Sequence, residues 1–544
     1  MEGYSGAKCG SAHLLHQRRR STCPQGRPWQ RRGGCSPSPG SDAPAAPAAR
    51  RTGPRTPAAP GREVTDGRRK RRSWRQGGRH RGIGAGAKTW LAARRGRGGG
   101  SMGQARHGSL RVAMGLVLAL GAAAPACLPQ SPGRTAVPEC TETPGAALEA
   151  DAPVQGEDPR GYVEEDGLPV LHLYVADSLP DDDGYQAARV FYRGRCHVAR
   201  ARHRGATSKA FPKRSFTLHF LDGQTFDEPL LAGGFSDRRK LVLISPFNDN
   251  SYIRARLGFT LWSRMSSEHL QVKTFSAVVY LDGRYHGLFT VADHVDRHSL
   301  AAQGMDARGE LFKAVGPGAN FSRQDAFDRP KLSLHQDHEK KEGEPETGDG
   351  AYASIEQFTA FVADTPPERF RAERGAWMRV EDYEGWWMLA HLAALSDSVA
   401  KNAYHFRAQG AAARWRYIPW DLDASFGQNW DTTRRAPWPM DIFPEQNLIW
   451  TRMMEDPAIR QPLRERFHTL LLTSLHRDVV QGLIDTYAAE VERAARKDEA
   501  HWGEAYRQFP LWNQRTDINS FEDEVKYIHD WVDARWDLLE EELR

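Results

Sequence analysis

Ser396-Asp397-Ser398-Val399-Ala400-Lys401-Asn402 and, a short way downstream, Ile418-Pro419-Trp420-Asp421-Leu422-Asp423 with Phe426-Gly427 decide how this chain is read. The order is a carboxylate, a carboxamide at the Asp-x-x-x-x-Asn spacing, and a second carboxylate leaving a β-like run. Phosphoryl transfer needs that set around Mg-ATP: one acid to align a hydroxyl, and an amide and a second acid to hold metal against the phosphates. Asp397 is therefore the candidate catalytic group, with Asn402, Asp421 and Asp423 as candidate metal ligands. Singly these motifs are weak, because Asp-x-x-x-x-Asn more often caps a helix or closes a turn and Trp-Asp-x-Asp often pairs with a nearby arginine. Their order gives them weight.

Outward from that stretch the texture of the chain changes. Residues 169–175, 188–192, 215–220, 240–244 and 276–281 are short β-rich runs, and Asp282-Gly283 joins 278–281 to 287–291 as a hairpin. A helix is expected from Ser251 to Met265, with Ile253, Leu257, Leu261 and Trp262 on one face. Helical spacing then governs Tyr383 to Ala394, Pro457 to Ser474, Val479 to Lys497 and Ser520 to Leu543, interrupted by two β-like runs, 403–406 and 415–418. The expectation is an α+β, two-lobed architecture: a β-rich N-terminal half read as a mixed sheet, and a mainly helical C-terminal half. Asp397 falls after a helix and Asp421 at the end of a strand, loop positions on rigid elements where catalytic groups concentrate.

Four ordered segments resemble the spore coat protein H (CotH) family of atypical protein kinases. They are the Asp397 to Gly427 stretch, Arg202-His-Arg204-Gly205 through Pro212-Lys213-Arg-Ser215-Phe216, Asn248-Asp249 through Arg254, and Val279-Tyr-Leu-Asp282-Gly283 through Gly287-Leu-Phe. The resemblance covers roughly residues 165–544. It implies a kinase-like fold and γ-phosphoryl transfer from ATP with Mg²⁺ to Ser or Thr of a protein, with Asp397 acting at the catalytic loop. It further implies that a basic residue between Arg204 and Lys213 meets the phosphates, Lys213 being preferred to Lys209 because it precedes a β-run. Arg254 is as well placed to pair with Asp249 as to touch ATP. Asp293-His-Val-Asp296 stands where the family shows Glu-x-x-Asp, so Asp293 would be the partner of the phosphate-contacting lysine, one methylene short.

Charge divides the chain. Residues 1–100 carry 23 Lys+Arg against 4 Asp+Glu, a balance of +19, while the whole chain is +6, which leaves −13 for residues 101–544. Residues 1–101 read as a disordered basic tail or as sequence upstream of a true start, since such a composition buries too little to offset its ordering entropy. Residues 102–127 read as a signal peptide, with Arg106 and Arg111 before the apolar run 112–124; Cys127 raises the lipoprotein type, and with it a membrane tether. Residues 128–166 read as a linker and 167–544 as the kinase-like domain. An exported or cell-envelope location follows, or a cytoplasmic one if the internal signal is unused. The six cysteines suggest no disulfide framework and no zinc site.

Gly316-Pro317-Gly318 reads as an ordinary turn, and no P-loop or Gly-x-Gly-x-x-Gly is present in residues 167–544. No nucleic-acid module accompanies the folded part, and a monomer is expected. Tyr383, Trp386, Trp387 and Trp420 read as core, His391 and His405 as structural. The alternative to a kinase is a non-catalytic envelope or surface module that keeps the scaffold to bind a partner.

Overall fold

Three X-Gly pairs set the first half of the fold. Asp166-Gly167, Arg193-Gly194 and Asp282-Gly283 each place both residues at positive φ, the two-residue turn whose twist matches that of the strands it joins. They connect β1 (Glu164–Glu165) to β2 (Leu168–Val175), β3 (Gln186–Tyr192) to β4 (Arg195–Arg204), and later β9 to β10. Between lie β5 (Ser215–Phe220), β6 (Phe226–Glu228), β7 (Phe235–Arg238), β8 (Lys240–Ile244) and helix α1 (Arg254–Met265), before β9 (Thr274–Leu281) and β10 (Arg284–Asp293). The computed structural model describes residues 140, 158–180, 182, 184–221, 223–231, 234–348, 350–439, 446–510 and 520–544. The basic tail, the export segment with Cys127 and most of the linker lie outside the described residues.

The strand order is β2-β3-β4-β5-β8-β10-β9, and β9 returns to pair with β2, so the sheet closes on itself as a seven-stranded barrel. All the pairings are antiparallel except the closing one, which is parallel, Val170 against Val278 through Leu173 against Leu281. The expected mixed sheet is thus mixed in direction but closed. Alternation sorts the side chains: Phe275, Ala277, Val279, Phe289 and Val291 fill the interior with Leu171, Leu173, Phe216 and Leu243, while Val278, Leu288 and Ala292 face outward into the core beneath the helices.

The second half begins with α2 (Arg297–Ala301) and a four-stranded antiparallel sheet in the order β12-β11-β13-β14. Its strands are β11 (Glu310–Ala314), β12 (His338–Glu342), β13 (Ala403–Arg407) and β14 (Trp415–Pro419). Helices α3 (Ala353–Asp364), α4 (Pro367–Trp377) and α5 (Val380–Ala393) intervene, and α6 (Leu448–Glu455), α7 (Pro457–Leu471), α8 (Arg477–Arg507) and α9 (Phe521–Leu543) follow. Helix α5 is apolar on nearly every side, with Tyr383, Trp386, Trp387, Met388 and Leu389 at 0–1 % exposure, and so forms the centre of the helical half. Among the described residues no helix is long and apolar enough to cross a membrane.

One disulfide joins Cys140 to Cys196 on β4. The sequence reading drew no such bond, because Cys140 sits in an apparently structureless linker and its spacing to Cys196 carries no signal.

Candidate active site

Helix α5 ends at Ala394, which takes the left-handed conformation at φ 51°, and the chain turns into the Asp397 loop. Two anchors hold that loop: Trp386 on α5 donates its indole N–H to Ser398 O at 3.0 Å, and Asn402 N donates to Ala314 O at 2.9 Å. The Asp421 loop leaves β14 beside it. Trp420 N donates to Asn402 O at 3.1 Å, and Ser398 Oγ donates to Asp421 O at 3.2 Å. The two motifs that the sequence separates are therefore hydrogen-bonded to one another.

Asn402 and Asp421 both sit at positive φ, 56° and 61°. Asn and Asp tolerate this conformation better than other side-chain-bearing residues, and such positions cluster where backbone geometry serves a site. Asn402 Nδ2 donates to Asp397 Oδ2 at 2.8 Å, and Lys401 Nζ pairs with Asp397 Oδ1 at 2.8 Å. Burial pushes the Asp397 carboxyl up and the charge of Asp421 adds to this, while Lys401 and Asn402 pull it back in part; the net shift is upward. Asp421 itself is exposed. Asp423 accepts from Asn248 Nδ2 at 2.6 Å; burial and then the neighbouring charge of Asp421 push its carboxyl up to about 7. Three carboxyls and one carboxamide thus share one acidic locality, where a cation would relieve their mutual repulsion.

Among the described residues no three His, Cys, Asp or Glu side chains are preassembled around a metal position. That fits Mg²⁺, which is commonly bound through one or two carboxylates together with waters and substrate phosphates. With its amide nitrogen turned to Asp397, Asn402 has its carbonyl oxygen left as a ligand for a cation.

Beside Asp397 opens a cavity of 390 Å³, lined by Asn320, Ser322, Asp325, Ser396 and Thr451 among others. Gly316-Pro317-Gly318 borders it as a turn closed on Asp337, whose carboxylate accepts from Gly318 N at 2.7 Å.

On the other flank lies a platform of rings. Trp420 is 2 % exposed and meets Tyr404 edge to face at 5.8 Å. The Arg204 guanidinium lies 5.3 Å from the Trp420 ring centroid, and Lys313 Nζ lies 5.7 Å from that of Tyr404. Lys313 pairs with Tyr404 across β11 and β13, so both project from one face. Sequence reading missed Lys313; its signal was a lysine alternating with apolar neighbours in Glu310-Leu-Phe-Lys-Ala314, which only the strand register connects to Asp421.

The other predicted phosphate contacts are placed differently. Lys213 is 0 % exposed, with Nζ 2.6 Å from both Asp498 Oδ1 and Leu288 O. Arg254 is 0 % exposed, bonded to Asp249 and Glu524 at 2.6 Å each and to Ser425 O. Asp293 pairs at 2.5 Å with Arg238, not with the lysine expected of it. Lys209 lies half-buried in the short 3-10 turn Thr207–Ala210. Of the basic candidates only Arg204 reaches the Asp421 region. His391 and His405 are buried and hydrogen-bonded to Trp387 O and to the Tyr383 hydroxyl, as structural histidines.

The family model described as "CotH kinase protein" matches residues 201–539, which takes in Arg204, Lys213, Asp397, Asn402, Asp421 and Asp423. The inner spore coat protein H of Bacillus subtilis (strain 168) is 25 % identical over 392 residues, 70 % of this chain and 98 % of the relative. Since the model spans well over half of the chain, this protein belongs to the CotH kinase protein family.

Proposed function

We propose that the chain is a Mg-ATP-dependent kinase that transfers the γ-phosphoryl group to a Ser or Thr hydroxyl of a protein, on a two-lobed plan in which the closed barrel takes the place of the β-rich lobe. The observation that carries this reading is the Ser398 to Asp421 hydrogen bond, which fastens the Asp397 and Asp421 loops into one acidic site. Family membership supports it.

In this reading Asp397 accepts the hydrogen bond of the incoming hydroxyl and takes its proton as the new O–P bond forms and the bond from the γ-phosphorus to the β,γ-bridging oxygen breaks, ADP leaving with that oxygen. Its burial and the nearby Asp421 raise its proton affinity toward what that task needs. Asn402 and Lys401 hold the carboxylate in one orientation, and positioning of this kind accounts for a large part of catalysis in phosphoryl transfer. Asn402, Asp421 and Asp423 would hold Mg²⁺, which when bound supplies charge neutralisation at the phosphates. The 390 Å³ cavity gives an acceptor side chain a route to Asp397 from the side away from the ring platform.

The Cys140–Cys196 disulfide supports an exported or envelope location, because such bonds persist in oxidising compartments. A relative named as an inner spore coat protein points the same way.

Asp397→Ala and Asp421→Ala should each lower ³²P transfer from γ-labelled Mg-ATP, to the chain itself or to a Ser/Thr-rich protein acceptor, by about a hundredfold or more, with circular dichroism unchanged. Undiminished transfer by both variants would remove the reading. A wild-type chain that binds Mg-ATP but transfers nothing to any acceptor would favour the non-catalytic binding module.

A further inference from the structure

We propose that Lys313 and Arg204, carried on the Tyr404–Trp420 ring platform, are the cations that hold the nucleotide's phosphates, and that Lys213 is a structural lock. This rests on the Mg-ATP reading above and names which side chains of that site do the holding.

Five cations in the interior of this protein are each met by a carboxylate. Lys213 meets Asp498, Arg238 meets Asp293, Arg254 meets Asp249 and Glu524, Arg256 meets Glu490, and Lys340 meets Glu310. The cost of withdrawing a cation from water is offset in each case by a carboxylate within hydrogen-bonding distance or close to it. Lys313 and Arg204, both half-buried, are not paired in this way, and neither is Lys331, whose buried Nζ has no hydrogen-bond partner among the described residues. Neither Lys313 nor Arg204 makes a side-chain ion pair or hydrogen bond with a described residue; their contacts are with the faces of Tyr404 and Trp420. They also act on each other: burial and then the charge of Arg204 lower the Lys313 amine to about 8. Two like charges held near one another over rings, with the carboxylates of Asp421 and Glu339 acting on Lys313 from nearby but not bonded to it, form a receptor for a strong external anion. An oligophosphate has the charge density to satisfy both, through charge-assisted hydrogen bonds.

Position selects the same ligand. Trp420 is bonded to Asn402 O and precedes Asp421 directly, so the platform leads into the candidate metal ligands. A phosphate chain lying across it would meet cations at one end and the metal-binding carboxylates at the other.

Lys213 has no such freedom. Asp498 Oδ1 accepts from Lys213 Nζ and also from Leu288 N at 2.7 Å. Gly287, at φ 123°, has no room even for a methyl group, since an added Cβ would lie 2.1 Å from Asp498 Oδ1 and 2.9 Å from Lys213 Cε. The amine is sealed against helix α8, with nothing left to offer a ligand.

The test uses the full chain. Dissociation constants for Mg-ATP and Mg-AMP are measured by calorimetry, and ligand-free melting temperatures are recorded, for wild type, Lys313→Met, Lys313→Arg and Lys213→Met. Lys313→Met should weaken Mg-ATP binding about tenfold or more, and Mg-AMP binding much less. Its ligand-free melting temperature should hold or rise, because a half-buried charge without a carboxylate partner has been removed. Lys313→Arg should recover most of the affinity. Lys213→Met should lower the ligand-free melting temperature. Wild-type affinity for Mg-ATP in Lys313→Met would overturn the assignment and leave Lys313 a lysine snorkelling over an aromatic ring. Failure of the wild type itself to bind Mg-ATP would overturn the nucleotide reading, and this inference with it.

Discussion

At the scale of single residues, buried charge decides what each motif does. Glu524 on α9 receives the guanidinia of both Arg254 and Arg434 at 2.6 Å. Burial alone would raise its carboxyl, but the two arginines more than offset this and hold it at about 2. A depressed folded pKa stabilises the fold above the unfolded value near 4.5, and that stability is lost as pH falls from about 4.5 toward 2. The span corresponds to about 3 kcal/mol at neutral pH. Glu524→Gln should therefore cost stability at pH 7 and flatten the acid dependence in that window, as read by urea denaturation across pH. A variant with the wild-type acid profile would show the two arginines to be satisfied elsewhere.

The same scale shows what the sequence concealed. That Asp397, Asn402 and Asp421 lie close together was legible because each sits on a loop next to a regular element. That Lys213, preferred to Lys209 as the phosphate contact, is locked away was not, because Asp498, with which it pairs, lies 285 positions away. The amino-acid type gives a lysine its charge, and only the tertiary fold says whether an anion has already claimed it.

Among elements, α1 and the Asp421 loop depend on one small side chain. A Cβ added to Gly258 would lie 2.9 Å from Leu422 Cδ1 and 3.0 Å from Leu422 Cβ. The second atom cannot swing aside without moving the backbone between Asp421 and Asp423. Gly258→Ala improves helix propensity, yet it should lower the melting temperature and weaken Mg-ATP binding together; a stabilised variant with wild-type affinity would show that the loop gives way freely. Which elements could be read from sequence follows from which faces they bury. Strands β2, β9 and β10 were visible because both their inward and outward residues are apolar. Strand β4 was not, since its inward positions are His197, Ala199 and Ala201, with only Val198 and Arg200 between them. Helix α4 buries only Phe370, which leaves no periodicity to detect. Barrel closure lay beyond any local signal, because β2 and β9 are far apart in the chain and pair in parallel.

For the whole molecule, the Cys140–Cys196 bond closes a loop spanning 56 positions. Chain-entropy arguments give such a closure up to about 4 kcal/mol. Cys196→Ser, or reduction with dithiothreitol, should lower the urea midpoint, with an m-value that rises as the uncross-linked denatured chain expands; an unchanged midpoint would mean that the bond contributes nothing to stability.

Helix α8 has a wider consequence. It supplies Asp498 to Lys213, Glu490 to Arg256, and Lys497 to Glu165 on β1, and Trp502 donates to His286 O on β10 at 2.9 Å. A fragment ending before residue 477 would retain every strand of the barrel but leave Lys213 and Arg256 without their counter-charges and without the helix that covers them. The barrel is therefore no interchangeable cassette: recombination that swaps it into another protein must carry helix α8 along, and a workable expression boundary lies beyond residue 507.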